Sequence, residues 1–174
     1  MKKFFAIFSV VAALFVANGA QAQVTTPVFD KGDNIASLTV GYGWGFGQRL
    51  VYEHAVASWF DGQLSVGVGA AFENCLDFGN HWIEDRMGLG AVASCHYQFI
   101  DNLDTYVQVG LGARFGIVNY NENYWYYNSD YNYFGFAWTT TVGARWYFND
   151  NFGVNAEFGW VAGSYFMAGV TYKF

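Results

Sequence analysis

Charge is scarce in this 174-residue chain. Asp, Glu, Lys and Arg make up 13% of it, about half the share a soluble domain carries. Basic residues are scarcer still, with 8 Lys and Arg against 14 Asp and Glu and a formal net charge of −6. That balance excludes a nucleic-acid binder, which needs clustered Lys and Arg to neutralise phosphates. A single proline excludes a proline-rich linker or stalk. Two cysteines cannot staple a disulfide-dense scaffold. Beyond the first 22 residues, no apolar run approaches the length of about 20 that a membrane-spanning helix needs.

The first 22 residues stand apart. Lys2 and Lys3 give a positive start, Phe4 to Val16 are apolar, and Ala20-Gln21-Ala22 supplies the small residues before a signal-peptidase cut. We read 1–22 as a secretory signal peptide, with Gln23 opening the mature chain. No cysteine follows the cut, so no lipoprotein anchor is expected. Removing Lys2 and Lys3 takes the balance from −6 to −8. The remaining chain is one domain by length.

What is abundant is apolar and aromatic: 53% hydrophobic, 22% aromatic, with 21 glycines. These residues alternate with small or polar ones at period two, the mark of strands with two different faces. Leu38, Val40, Tyr42 and Trp44 alternate with Thr39, Gly41 and Gly43. The same pattern runs through Leu64–Phe72, Met87–Phe99, Thr105–Phe115, Phe134–Phe148, Phe152–Trp160 and Phe166–Phe174. Residues 48–58 alternate least cleanly, with Leu50, Tyr52 and Val56 taken as outward and His54 an awkward member of that row. Eight strands are predicted, near 35–45, 48–58, 63–74, 86–99, 103–117, 132–148, 152–161 and 164–174.

The connections alternate too. Three are short (58–62, 100–102 and 149–151), and two at the opposite end are long (75–85 and 118–131). This is the plan of an outer-membrane barrel. On this register Arg49, Glu53, Glu73, Arg86, Arg114, Arg145, Glu157 and Lys173 all share the small-residue side. A midplane Arg or Lys on the lipid side costs roughly 2–4 kcal/mol, so a bilayer demands such segregation. A soluble lipocalin-like barrel would place the glycine-dominated face in water, where it would serve poorly. The expected fold is therefore all-β: an eight-stranded antiparallel up-and-down transmembrane β-barrel over 35–174, after the signal peptide and a short periplasmic segment, 23–34.

The chain ends Val170-Thr171-Tyr172-Lys173-Phe174. With Phe166, Tyr172 and Phe174, this strand resembles the signal by which the barrel-assembly machinery recognises its clients. The whole mature chain resembles the OmpA/OmpX-type small barrels, and its glycine- and aromatic-rich hairpins are similar to outer-membrane barrels of Bacteroidetes. The resemblance implies the outer membrane of a Gram-negative bacterium, with lipid and lipopolysaccharide as surroundings. No peptidoglycan-binding domain is expected after the last strand.

Three sets of residues are candidates for function. The eight inward charges form a polar plug or, alternatively, line a narrow ion path, since buried charges need partners. The segment 118–131 carries Tyr120, Tyr124, Trp125, Tyr126, Tyr127 and Tyr131 among Asn and Ser, a mix that binding loops use. It serves either to recognise a host protein or glycan or to extend the interfacial aromatic girdle. The segment 75–85, with His81 and the carboxylates Asp77, Glu84 and Asp85, has no established metal-ligand spacing and is expected as a solvated loop. No metal and no cofactor are expected. Cys75 and Cys95 lie too far apart along a hairpin to bond, so both are expected as free thiols, with Cys95 facing lipid.

Enzyme activity is not expected, because His54, His81 and His96 fall at separate places on this register. The expected role is a non-enzymatic outer-membrane barrel with a largely plugged lumen and structural or adhesive loops. The alternatives are a small low-conductance pore and a lipid-modifying enzyme.

Overall fold

The computed structural model describes residues 26–120, 130–161 and 163–174. Residues 1–22, expected as a signal peptide, and the loop residues Tyr124, Trp125, Tyr126 and Tyr127 lie outside the described residues. The period-two sequence forms β1 (Asn34–Gly43), β2 (Phe46–Trp59), β3 (Leu64–Phe78), β4 (Trp82–Ile100), β5 (Leu103–Tyr120), β6 (Tyr131–Tyr147), β7 (Phe152–Val161) and β8 (Ser164–Lys173). Each strand pairs antiparallel with the next, and β8 pairs with β1, so the sheet closes into a barrel. At the seam, the backbone of Phe174 exchanges two hydrogen bonds with Asn34.

Burial follows the alternation. Along β2, Gly47, Arg49, Val51, Glu53 and Ala55 are buried while Phe46, Gln48, Leu50 and Tyr52 are exposed. His54 stays in the outward row, half-buried, and its ring bonds Asn34 Oδ1 at 3.0 Å. The irregularity of 48–58 has a backbone cause. Between Ala55 and Ala57 the pairing with β3 shifts by a bulge, which sets Val56 outward and unpaired.

Two features differ from the sequence expectation. First, 75–85 is mostly strand rather than a long loop: β3 runs to Phe78 and β4 starts at Trp82, leaving a three-residue tip. Two of the carboxylates that made this segment look solvated, Asp77 and Glu84, pair with Arg86 within the same hairpin, as described below. Second, residues 26–33, for which no packing was predicted, lie against the barrel. They fold beneath it and enter the end that carries both termini, where Val28 and Phe29 join Ile35, Ala55 and Tyr147 in a small apolar core.

The strands have unequal heights. β4 and β5 hold 19 and 18 residues, whereas β1, β7 and β8 hold 10 each. One wall therefore stands taller at the hairpin end. Among the described residues, β6 pairs with β7 only from Thr140 to Tyr147.

Candidate functional site

Polar side chains project into the lumen in stacked layers, each built from inward positions of several strands. In the middle layer Arg49 reaches from β2 to three neighbours. Its Nε donates to Glu73 at 3.0 Å, one terminal nitrogen donates to Glu157 at 2.9 Å, and the other donates to Gln108. Glu157 also accepts from the Tyr106 hydroxyl at 2.6 Å. Every charge here is buried and paired, as a low-dielectric interior requires.

Nearer the termini, Arg145 donates to Glu53 and lies 3.3 Å from Asp104. Its guanidinium sits 4.1 Å from the centre of the Tyr106 ring, so Tyr106 joins the two layers through its ring and its hydroxyl. His96 lies between Asp104, 2.9 Å from Nδ1, and the Ser94 hydroxyl, 2.8 Å from Nε2. Glu53 accepts from that hydroxyl at 2.5 Å.

Ser94, His96 and Asp104 thus line up in the order of a hydrolytic triad, which the sequence reading had not brought together. The chemistry does not follow. A nucleophilic serine gives its proton to the imidazole, whereas Ser94 directs its proton to Glu53. Ser94 and His96 are also buried, and the Phe29 ring packs at a tilt of 54° on His96 with ring centres 4.5 Å apart. The trio is a hydrogen-bonded strut.

At the hairpin end, Arg86 lies 2.5 Å from Asp77 and 3.1 Å from Glu84. Glu84 accepts from the Tyr133 hydroxyl at 2.5 Å, and Asn74 donates to Asp85 at the same distance. Arg86 is thus held by its own hairpin rather than by Glu53, Glu73 or Glu157.

Arg114 projects inward beside the middle layer, in the row that runs Arg49, Glu73, Gly88, Arg114, Gly135 across neighbouring strands. Lys173 is set apart from the lumen charges. It is half-buried at the terminal rim, 3.8 Å from Asp33.

Of the aromatic loop, Tyr120 and Tyr131 are described, their ring centres 6.4 Å apart, and Asp130 accepts from the Tyr120 backbone at 2.9 Å. Phe166, Tyr172 and Phe174 point outward and are more than half exposed. Both thiols are free, with Cys75 buried and Cys95 exposed on the outer face. Among the described residues, no group of three or more His, Cys, Asp or Glu is placed to hold a metal ion.

Asp104, Tyr106, Gln108, Ser94 and His96 were missing from the candidate set. Strand parity alone assigns them to the lumen. Ser94, His96, Tyr106 and Gln108 carry no fixed charge to mark them, and Asp104 stands one residue inside the start of β5.

No family model and no curated protein matches the chain. Solved structures match it in fold. The N-terminal β-barrel domain of Pseudomonas aeruginosa OprF is 16% identical with a TM-score of 0.55, over 83% of this chain and 98% of that one. Ail, the attachment invasion locus protein of Yersinia pestis, is 13% identical with a TM-score of 0.51, over 83% and 99%. Ail is also known in complex with the heparin analogue sucrose octasulfate. Neisserial surface protein A is 12% identical with a TM-score of 0.50, over 81% and 92%. The chain has the closed eight-stranded architecture of small outer-membrane barrels. Such a fold hosts many roles, so function rests on the site itself.

Proposed function

We propose that the protein is a non-enzymatic integral barrel of a Gram-negative outer membrane, exported by its signal peptide, with a closed lumen and a hairpin end that serves a structural or recognition role. The observation that carries this is an inversion of the ordinary protein plan. Leu38, Leu50, Leu89, Leu111 and Val142 stand exposed around the outside, while Arg49, Glu53, Arg145 and Glu157 are buried within. Only a lipid surround makes that arrangement stable. Outer-membrane lipid and lipopolysaccharide are then its immediate partners. The outward aromatics Phe166, Tyr172 and Phe174 are what the barrel-assembly machinery would read during biogenesis.

Recognition at the hairpin end takes its chemistry from the connections there. Residues 44–45, 79–81, 121–130 and 162–163 contain no Lys or Arg. A sulfated polyanion of the kind seen with Ail is therefore a poor fit. Tyr and Asn side chains suit a neutral glycan or an uncharged protein surface.

The test is single-channel recording on refolded mature protein, Gln23–Phe174, in planar bilayers, with folding checked by heat-modifiable gel mobility. A silent bilayer is expected, because Arg49 and Arg145 cross-link the lumen. Discrete, reproducible openings would replace this proposal with the small-pore alternative.

A further inference from the structure

We infer that the terminal end of the barrel is a peptide seat, occupied in cis by residues 26–31. Three features make it a built site. The first is shape. At Gly62 a Cβ atom would come within 2.3 Å of Pro27 Cβ, and at Gly67 within 3.1 Å of the Phe29 ring. Absent side chains thus leave the hollows that these two residues fill. The second is apolar burial, with Phe29 2% exposed against Ala55 and Tyr147. The third is backbone recognition by a buried amide. Gln98 accepts from the Val28 N–H at 2.8 Å and donates to the Thr26 carbonyl at 3.0 Å. One side chain thereby holds the segment's backbone through both of its polar groups.

The occupant is joined to the barrel by a hinge. Gly32 has φ +100°, where other residues are strained, and nothing lies within 4 Å of the place its Cβ would take. Residues 26–31 belong to no strand. Their departure breaks no inter-strand ladder and leaves the Arg49 and Arg145 layers intact. It uncovers Ala55, Tyr147 and the Phe29 side of His96 to water. The seat is thus separate from the closure of the lumen: emptying it leaves the bilayer silent, so its test and the conductance test fail independently.

The test uses mature protein with Cys75→Ala and Cys95→Ala, and a reporter thiol, Ala55→Cys, beneath the segment. With the segment present, a water-soluble methanethiosulfonate should modify the reporter about 100-fold more slowly than in a variant lacking residues 26–31, as expected for a locally opening element. Adding the synthetic hexapeptide Thr-Pro-Val-Phe-Asp-Lys to the deletion variant should slow modification again, and the same peptide with Ala for Phe should not. Phe29→Ala in the full chain gives a second readout should the deletion variant fail to fold, and it should speed modification. Equal rates with and without the segment, no protection by the hexapeptide, or an unchanged rate in Phe29→Ala each overturn the seat.

Discussion

Arg145 and Glu53 meet across the full width of the barrel. They stand on β6 and β2, four strands apart in either direction around the closed sheet, and both side chains are fully buried. Removing one partner strands the other. Arg145→Met should destabilise the refolded barrel by about 3–5 kcal/mol, the usual cost of an uncompensated buried charge. Urea unfolding in detergent micelles measures it. Adding Glu53→Gln should recover part of the loss, and a double-mutant cycle gives the coupling. A loss below about 1 kcal/mol for the single variant would mean the pair does not brace the barrel.

The outward face offers the reverse experiment. Leu111 is 61% exposed on β5. Leu111→Arg should cost roughly 2–4 kcal/mol of folding free energy in lipid vesicles. A neutral result would place this side chain in water and argue against a membrane belt.

Phe60 sits in the turn after β2 with φ 55°, followed by Asp61 at 54°. Two consecutive left-handed residues suit Asn and Gly, not a bulky aromatic. Phe60→Asn should therefore stabilise the barrel by about 1 kcal/mol, read from the unfolding midpoint. A loss of stability would show that the Phe60 ring, rather than the turn backbone, dominates at this site.

The thiols should behave differently. Cys75 is paired with Arg86, and Cys95 with Val66, nine positions further along β4. At about 3.3 Å per residue they stand roughly 30 Å apart, far beyond the ~7 Å between Cα atoms in a disulfide. Mild oxidation should leave gel mobility unchanged. A lipid-soluble maleimide should modify Cys95 in the folded protein and spare buried Cys75.

Much of this architecture was legible in the sequence, because a two-faced strand in a two-phase environment writes its register into every second residue. Leu38, Leu89 and Val142 show it directly. Legibility failed where one charge answered another. Asp77 and Glu84 looked like part of a solvated loop, yet they pair with Arg86 inside the mouth and let β3 and β4 continue. Pairings across the lumen were hidden for a different reason. Parity assigns Arg49 and Glu157 to the interior, but which acid meets which base depends on strand stagger, which no local pattern encodes. The peptide seat left one clue, the adjacent apolar pair Val28 and Phe29 just ahead of the first strand.

The unequal strand heights fix how the molecule floats. The Phe148 N–H bonds Phe152 on β7, and at period two the backbone groups of Asn132, Phe134, Phe136 and Trp138 turn the same way. Among the described residues β7 does not reach them. On that side the described β6–β7 ladder ends at Thr140 and Trp160. From there to the terminal turn the wall is roughly 20 Å high at the usual tilt, short of an apolar band of about 25 Å. Across the barrel, the outward row from Met87 to Phe99 rises roughly 30 Å by the same arithmetic. A cylinder with a shallow side and a deep side does not stand upright. In a bilayer such a barrel is expected to lean, with the membrane thinned where the shallow side meets it.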